Sequence, residues 1–396
     1  MNITRDLYQM PDYSLPLATS TWDDAEYSAL ERVIQSGQFT MGSEVAAFET
    51  AFSKYHKTRY AVMVNSGSSA NLLMIAALFF RKNNALRPGD EVIVPAVSWS
   101  TTYAPLQQYG LKVKFVDIDL YSLNVDLDQL EQAITSKTRL ILMVNLLGNP
   151  NDFRRLEKII EGRDVLVVED NCESLGAELD GQKTGTFGLM GTYSSFFSHH
   201  ISTMEGGMVT TNDRELYQIM LSLRAHGWTR DLPKRNDVTQ IKSDDLFNES
   251  FKFVLPGYNL RPLELSGAVG VEQLKKLPKI VDGRRRNAVF FQSVMKDHSQ
   301  LLIQRETGKS SWFGFSLVLR PDAAMTRDEL RKGLSKLGFE CRPIVAGNFT
   351  KNAVMKFFDA EVHGNLKNAD HIHYHGLFVG NHHYNIEPAL NLLRQL

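Results

Sequence analysis

Short apolar runs alternate with amphipathic stretches through the first half of the chain. The runs Tyr60–Val64, Glu91–Val94, Val113–Val116, Arg139–Asn145 and Val165–Val168 are nearly continuous in apolar residues. That is the pattern of strands buried on both faces of a sheet. Between them, Ser68–Arg81, Thr101–Gln108, Asp126–Thr135 and Asp152–Gly162 read as helices. Strand–helix alternation predicts an α/β domain built on a mostly parallel sheet with helices on both sides. Turn residues mark the divisions. Arg87-Pro88-Gly89-Asp90 precedes a strand, and Gly148-Asn149-Pro150-Asn151 leads into a helix.

Past Val281 the pattern changes. A basic amphipathic stretch at Asp282–Asp297, a strand at Trp312–Leu319 and a helix at Thr326–Leu337 predict a smaller α+β domain. The reading therefore divides the chain into residues 1–281, an N-terminal arm with a large domain, and residues 282–396, a small C-terminal domain. No internal repeat or low-complexity segment interrupts either part.

Charge narrows the classes of partner. Lys and Arg number 44, and Asp and Glu 45, in 396 residues. So balanced a chain has no global field to draw it to nucleic acid or to an anionic membrane. The run Arg284-Arg285-Arg286 reads as a solvated helix face. The longest apolar run, Leu72–Phe80, is about half of what a membrane span needs. Met1–Asp24 mixes charges and prolines with apolar residues and has no signal-like core. The expectation is a soluble, cytoplasmic protein. Two cysteines, Cys172 and Cys341, cannot build a disulfide framework or a four-thiolate metal site.

Four segments could carry chemistry. Asn65-Ser66-Gly67-Ser68-Ser69-Ala70 lies between a strand and a helix. A small-residue turn there presents free N–H groups and a positive dipole end to an anion, although Ser is also an ordinary helix cap. In Val168-Glu169-Asp170-Asn171 an acid follows an apolar strand, at the edge where open α/β sheets bind ligands. It could equally cap the next helix. Trp99, after Pro95-Ala96-Val97-Ser98, would reach the same edge, either to stack on a flat ligand or to fill the core. His199 and His200 sit among small residues and glycines, between Ser194-Ser195-Phe196 and Glu205-Gly206-Gly207. Such a histidine can transfer protons near neutral pH but is more often structural.

The order of these segments resembles the sugar aminotransferase family of fold-type I pyridoxal-phosphate enzymes. Gly185-Thr186-Phe187-Gly188 and Gly257-Tyr258-Asn259-Leu260-Arg261-Pro262 add to the likeness, which runs from about Leu15 to the C-terminus. It implies an aminotransferase-like α/β fold, a large mostly parallel-sheet domain plus a small α+β domain. It implies roles by position. Gly67, Ser68 and Ser69 would hold the cofactor phosphate with the Ser194 hydroxyl. Trp99 would stack on the ring. Asp170 would pair with the ring nitrogen, with Glu173 close by. Asn259 would reach the phosphate of a neighbouring subunit's cofactor, which implies a homodimer with active sites at the subunit interface. His226 and Arg230 are candidates for substrate contact.

One departure changes the expected chemistry. The family's cofactor-anchoring lysine lies a few residues before Glu-Gly-Gly, and here that position is His199. No lysine occurs between Lys183 and Lys234, and Lys183 precedes the Gly-Thr-Phe-Gly turn. A histidine cannot anchor the aldehyde covalently but can move protons. That replacement sets apart the sugar 3-dehydratases of this family. Likeness to them includes Trp-Ser-Thr-Thr-Tyr at 99–103, Leu-Leu-Gly-Asn-Pro-Asn-Asp-Phe at 146–153, Arg-Ala-His-Gly-Trp-Thr-Arg at 224–230 and Glu-Cys-Arg-Pro-Ile-Val at 340–345.

The resemblance implies noncovalent pyridoxal or pyridoxamine 5'-phosphate, L-glutamate as amino donor, and removal of the C3 hydroxyl of a nucleotide-linked 4-keto-6-deoxy sugar. The expected substrate is GDP-4-keto-6-deoxy-D-mannose, a step of colitose formation, with ammonia and 2-oxoglutarate released. Two cysteines cannot ligate a four-cysteine iron–sulfur cluster, so the cluster-dependent variant is not expected. An ordinary nucleotide-sugar aminotransferase and a non-catalytic cofactor-binding protein are the alternatives. His371 and His375 have the i, i+4 spacing of metal ligands, but acidic or cysteine companions are lacking and no metal is expected.

Overall fold

The computed structural model describes residues 14–396; the first part of the expected N-terminal arm lies outside them. Its centre is an eight-stranded sheet. In spatial order the strands are Tyr60–Val64, Gly207–Thr211, Met190–Ser194, Leu166–Asp170, Thr138–Val144, Glu91–Pro95, Lys112–Val116 and Ala360–Val362. Gly207–Thr211 runs antiparallel to both neighbours, and the other pairings are parallel. Helices Gly67–Phe79, Ser100–Gln108, Leu127–Ala133 and Phe153–Ile160 connect the parallel strands. One large apolar core lies under Gly67–Phe79, and a second under Phe153–Ile160.

A four-stranded antiparallel sheet follows, in the order Leu301–Leu302, Gly314–Leu319, Gly376–Gly380, Cys341–Arg342. It encloses its own core around Phe291, Phe315 and Phe339. The expected division after Val281 falls inside one uninterrupted helix, Glu264–Met295. Three of its glycines allow close packing. A Cβ on Gly267 would meet the Val45 backbone at 2.6 Å, one on Gly270 the Phe48 ring at 2.6 Å, and one on Gly283 the His383 carbonyl oxygen at 2.0 Å.

Two strands of chain tie the parts together. Ala360–Val362, late in the sequence, joins the edge of the large sheet beside Lys112–Val116. The described start of the arm lies on the smaller sheet's side, where Leu15 bridges Phe339 and the Leu17 N–H donates to Glu340. Farther along the arm, the Trp22 indole donates to the Ser202 carbonyl near the His199 segment. The arginine run differs from expectation. Arg286 is exposed, but Arg284 is buried at 5% exposure because its helix face is turned inward against Trp312 and Phe313. No helix among the described residues is long and apolar enough to cross a membrane.

Candidate active site

A cavity of about 450 Å³ opens where the parallel strands end and the smaller sheet leans over them. Seven residues singled out from the sequence reach it: Gly67, Ser68, Trp99, Asp170, Glu173, Ser194 and His199. They arrive from the ends of four different strands of the large sheet and the loops that follow them.

The first junction is the helix start at Gly67. Ser66 caps the helix by accepting the Ser69 N–H at 3.0 Å. The Ser69 amide is therefore engaged in the cap, and Ser69 is not in the cavity wall. The Gly67 and Ser68 amides, one position earlier in the turn, have no intrahelical carbonyl to reach. Only glycine fits at position 67. A Cβ there would stand 2.6 Å from the Ser194 Cβ and 3.1 Å from the Cys172 sulfur. The close approach brings the Ser194 hydroxyl to the same helix end.

The second junction ends the strand Leu166–Asp170. Asp170 Oδ2 accepts from Asn71 Nδ2 at 2.9 Å and from Thr102 Oγ1 at 2.8 Å, and Oδ1 accepts the Cys172 N–H at 3.0 Å. A carboxylate has about four acceptor positions, so one remains for a donor in the cavity. Asn71 is itself held by the Thr192 hydroxyl at 2.6 Å. Neither Asn71 nor Thr102 was assigned a role in the sequence, although Thr102 lies within the quoted Trp-Ser-Thr-Thr-Tyr motif and Asn71 directly follows the Asn65–Ala70 turn; that adjacency is the signal that could have found them.

Glu169, the preceding residue, points the other way. Its carboxylate is fully buried and accepts the N–H groups of Gly185, Phe187 and Gly188 at 2.6, 2.7 and 2.8 Å. The Gly-Thr-Phe-Gly turn therefore serves to close on this buried acid. Burial pushes the Glu169 carboxyl up to about 7 against the pull of those donors. Glu173 is likewise raised to about 7, by burial first and then by the neighbouring Asp170 charge, while the Leu147 N–H on its Oε2 at 2.9 Å opposes the rise.

Trp99 stands at the start of the helix Ser100–Gln108 with 58% of its surface exposed. It is a cavity wall and not a core residue. Opposite, His199 lies between aromatic rings, 5.2 Å from Phe313 and 6.1 Å from Phe196 between centroids. Its Nδ1 is buried without a hydrogen-bond partner among the described residues. Burial lowers its pKa to about 4, with the Arg284 charge adding to the effect, so the imidazole is neutral at neutral pH.

Among the described residues, the charged ones lining the cavity are the acids Asp170, Glu173 and Glu205 and one cation, Arg342. Arg342 was quoted in the sequence only as part of a likeness. Among the described residues no lysine lines the cavity; Lys183 is paired with Glu178 at 2.8 Å and lies over the Tyr55 ring. Asn259, His226 and Arg230 lie outside this chain's cavity. They form a separate cluster in which Trp228 contacts His226, with Arg230 and Arg261 over its ring at 4.2 and 5.8 Å. Asn259 is exposed there and accepts from Arg261. His371 Nε2–H is taken up by the Leu319 carbonyl at 2.7 Å.

The residues present fit a pyridoxal-type cofactor. Backbone donors and a hydroxyl converge at one end, a flat indole forms a wall, and an acid with an acceptor position to spare faces the interior. Sheet order and site together define the aminotransferase-like fold of fold-type I pyridoxal-phosphate enzymes. The chain belongs to the DegT/DnrJ/EryC1/StrS aminotransferase family, whose model matches residues 21–385. It is 59% identical over 382 residues to GDP-4-keto-6-deoxy-D-mannose 3-dehydratase of Escherichia coli O55:H7, covering 96% of this chain and 98% of that one. It is 60% identical over 381 residues to the protein of the same name from Yersinia pseudotuberculosis, covering 96% and 97%. A crystal structure of GDP-4-keto-6-deoxymannose-3-dehydratase with a trapped PLP-glutamate geminal diamine superposes with a TM-score of 0.95 at 59% identity, covering 96% of this chain and 99% of that one.

Proposed function

We propose that this chain removes the C3 hydroxyl of GDP-4-keto-6-deoxy-D-mannose, using noncovalent pyridoxamine phosphate and L-glutamate. The observation that carries the reading is His199. A neutral, half-buried imidazole stands in a cavity that otherwise has the fittings for the cofactor and has no lysine in its wall among the described residues. Near-full-length identity of 59 and 60% to two enzymes named for this reaction supports the substrate.

When bound, the cofactor supplies an amine that condenses with the C4 ketone and a pyridine ring that takes up electrons. The Gly67 and Ser68 amides and the Ser194 hydroxyl hold its phosphate, and Trp99 covers a ring face. Asp170 keeps a proton on the ring nitrogen through its open acceptor position. His199 would take a proton from the cofactor's C4′ carbon and deliver it to the C3 hydroxyl oxygen, so that this oxygen leaves as water. The aromatic walls at Phe196 and Phe313 limit water around the imidazole. Over the whole cycle the sugar loses one oxygen and glutamate becomes 2-oxoglutarate and ammonia. The amino acid is thus the two-electron reductant, and the balance needs no other.

The proposed assembly is a homodimer in which Asn259 and its Trp228–Arg230 cluster complete the partner's site. The exposure of Asn259 and Arg230 outside this chain's own cavity supports it. The proposed compartment is the cytoplasm, in keeping with the unpaired thiols Cys172 and Cys341.

The test is a product assay with GDP-4-keto-6-deoxy-D-mannose, pyridoxal phosphate and glutamate. Mass spectrometry should find a product lighter by one oxygen atom, with one 2-oxoglutarate and one ammonia per turnover. A stable amino sugar would overturn the reading in favour of amino transfer.

A further inference from the structure

We propose that Arg284 is a positioning residue for His199: its buried guanidinium fixes the Ser311–Trp312–Phe313 backbone against the His199 ring and presents a permanent positive charge to it. The inference rests on the reading of His199 as the proton-transfer group.

The geometry is a cross-brace. Arg284 donates to the Phe313 carbonyl at 2.9 Å and to the Trp312 carbonyl at 3.5 Å. Asn381 Nδ2 donates both to Trp312 O, at 2.9 Å, and to Arg284 O, at 3.1 Å. On the cavity side, the Phe313 N–H donates to Leu147 O and the Ser311 N–H to Gly148 O. His200 Nε2–H donates to Ser311 O at 3.1 Å. The Phe313 ring packs against both histidines, 5.2 Å from His199 and 5.8 Å from His200. Between these anchors Trp312, a fully buried tryptophan, is held at φ +50. A bulky residue in that region stays there only when its surroundings over-determine it. Arg284 is one of the groups that do so.

The charge is the second part of the argument. A guanidinium buried to this depth is costly unless paired. The Arg284 guanidinium meets the Trp312 and Phe313 carbonyl oxygens, and its Nε has no partner among the described residues. Holding two carbonyls needs only a neutral donor, so the cation contributes something further. Burial lowers Arg284 to about 10, and it stays charged at neutral pH. That charge acts on His199 and His200 in the same sense as their burial, keeping both rings unprotonated. The other groups around His199 are the neutral His200 and, across the cavity, Asp170, Glu173, Glu205 and Arg342.

Two variants separate grip from charge. Arg284→Gln keeps a donor for Phe313 O and removes the charge. Arg284→Lys keeps the charge and cannot span both carbonyls. NMR titration of ring-labelled histidines in the cofactor-free protein, with His199 assigned through His199→Asn, reads the charge directly. The His199 midpoint should rise in Arg284→Gln from about 4 toward the ordinary value of 6.5 and stay low in Arg284→Lys. The acidic limb of the kcat profile should move with it. In Arg284→Lys, kcat should fall about 10- to 100-fold with KM for the nucleotide sugar unchanged, the signature of a displaced proton-transfer group. An unmoved midpoint in folded Arg284→Gln, or an unchanged kcat in Arg284→Lys, would overturn the proposal. If Arg284→Gln does not fold, the Lys variant still decides. Full deoxygenation by His199→Asn would instead sink the reading of His199 itself, leaving the titration result intact.

Discussion

Glu169 and Asp170 are neighbours on one strand, and they serve opposite ends. Glu169 faces inward and spends its carboxylate on three backbone N–H groups of the Gly185–Gly188 turn. Asp170 faces the cavity and leaves part of its accepting capacity open. Both are buried, so burial alone does not separate a fastening from a working group. What separates them is unspent bonding capacity turned toward a cavity. The same contrast holds for the histidines. His200 is fully buried and tied to Ser311, whereas His199 has a ring nitrogen without a partner and a cavity in front of it.

Substitution at the two acids is the strongest way to break this comparison. Glu169→Ala orphans three buried amides, each worth about 1–3 kcal/mol. The chain should lose several kcal/mol in denaturant unfolding, with activity lost only as folded protein is lost. Asp170→Asn should leave stability within about 1 kcal/mol while kcat falls about 100-fold or more. Equal effects on stability from both variants would erase the distinction. A smaller effect is expected from Gly67→Ala. Its new Cβ meets Ser194 at 2.6 Å, and overpacking of that kind costs about 1–3 kcal/mol. Because the strain falls on the proposed phosphate cradle, pyridoxamine phosphate affinity measured by fluorescence titration should drop about 10-fold. The smallest effect concerns pH. Glu173 is raised from 4.5 to about 7 in the fold, so its contribution is present below pH 4.5 and is lost as pH rises toward 7. Glu173→Gln should flatten the stability profile in that window. A slope that persists unchanged would place the titration on another group.

Much of the scaffold was legible. Tyr60–Val64 was read with its bounds, and the other four strands to within one or two residues, because buried parallel strands are continuous apolar runs. Met190–Ser194 and Gly207–Thr211 went unread. Met-Gly-Thr-Tyr-Ser and Gly-Met-Val-Thr-Thr are fully buried yet rich in small polar residues. Their glycines answer to contacts from elsewhere in the chain, such as Gly207 against Ser66 O, where a Cβ would stand at 2.1 Å. The helix Glu264–Met295 was read only in its second half, since Pro278 and the three packing glycines look like breaks. At the site, the motif residues were visible. Asn71, Thr102, Phe313 and Arg342 were given no role, although Thr102 and Arg342 lie in quoted motifs, because each matters through a neighbour brought close by the fold. Arg284 was misread as solvated since a run of three arginines does not reveal which one a helix turns inward.

The central claim is that the position of the anchoring lysine is held by a histidine that works without a covalent bond to the cofactor. Borohydride reduction of the protein loaded with pyridoxal phosphate, followed by intact mass measurement, tests it directly. The chain should keep its unmodified mass, and only His199→Lys should acquire a stable adduct. An adduct on the unsubstituted chain, mapped to a lysine at the cavity, would contradict the account.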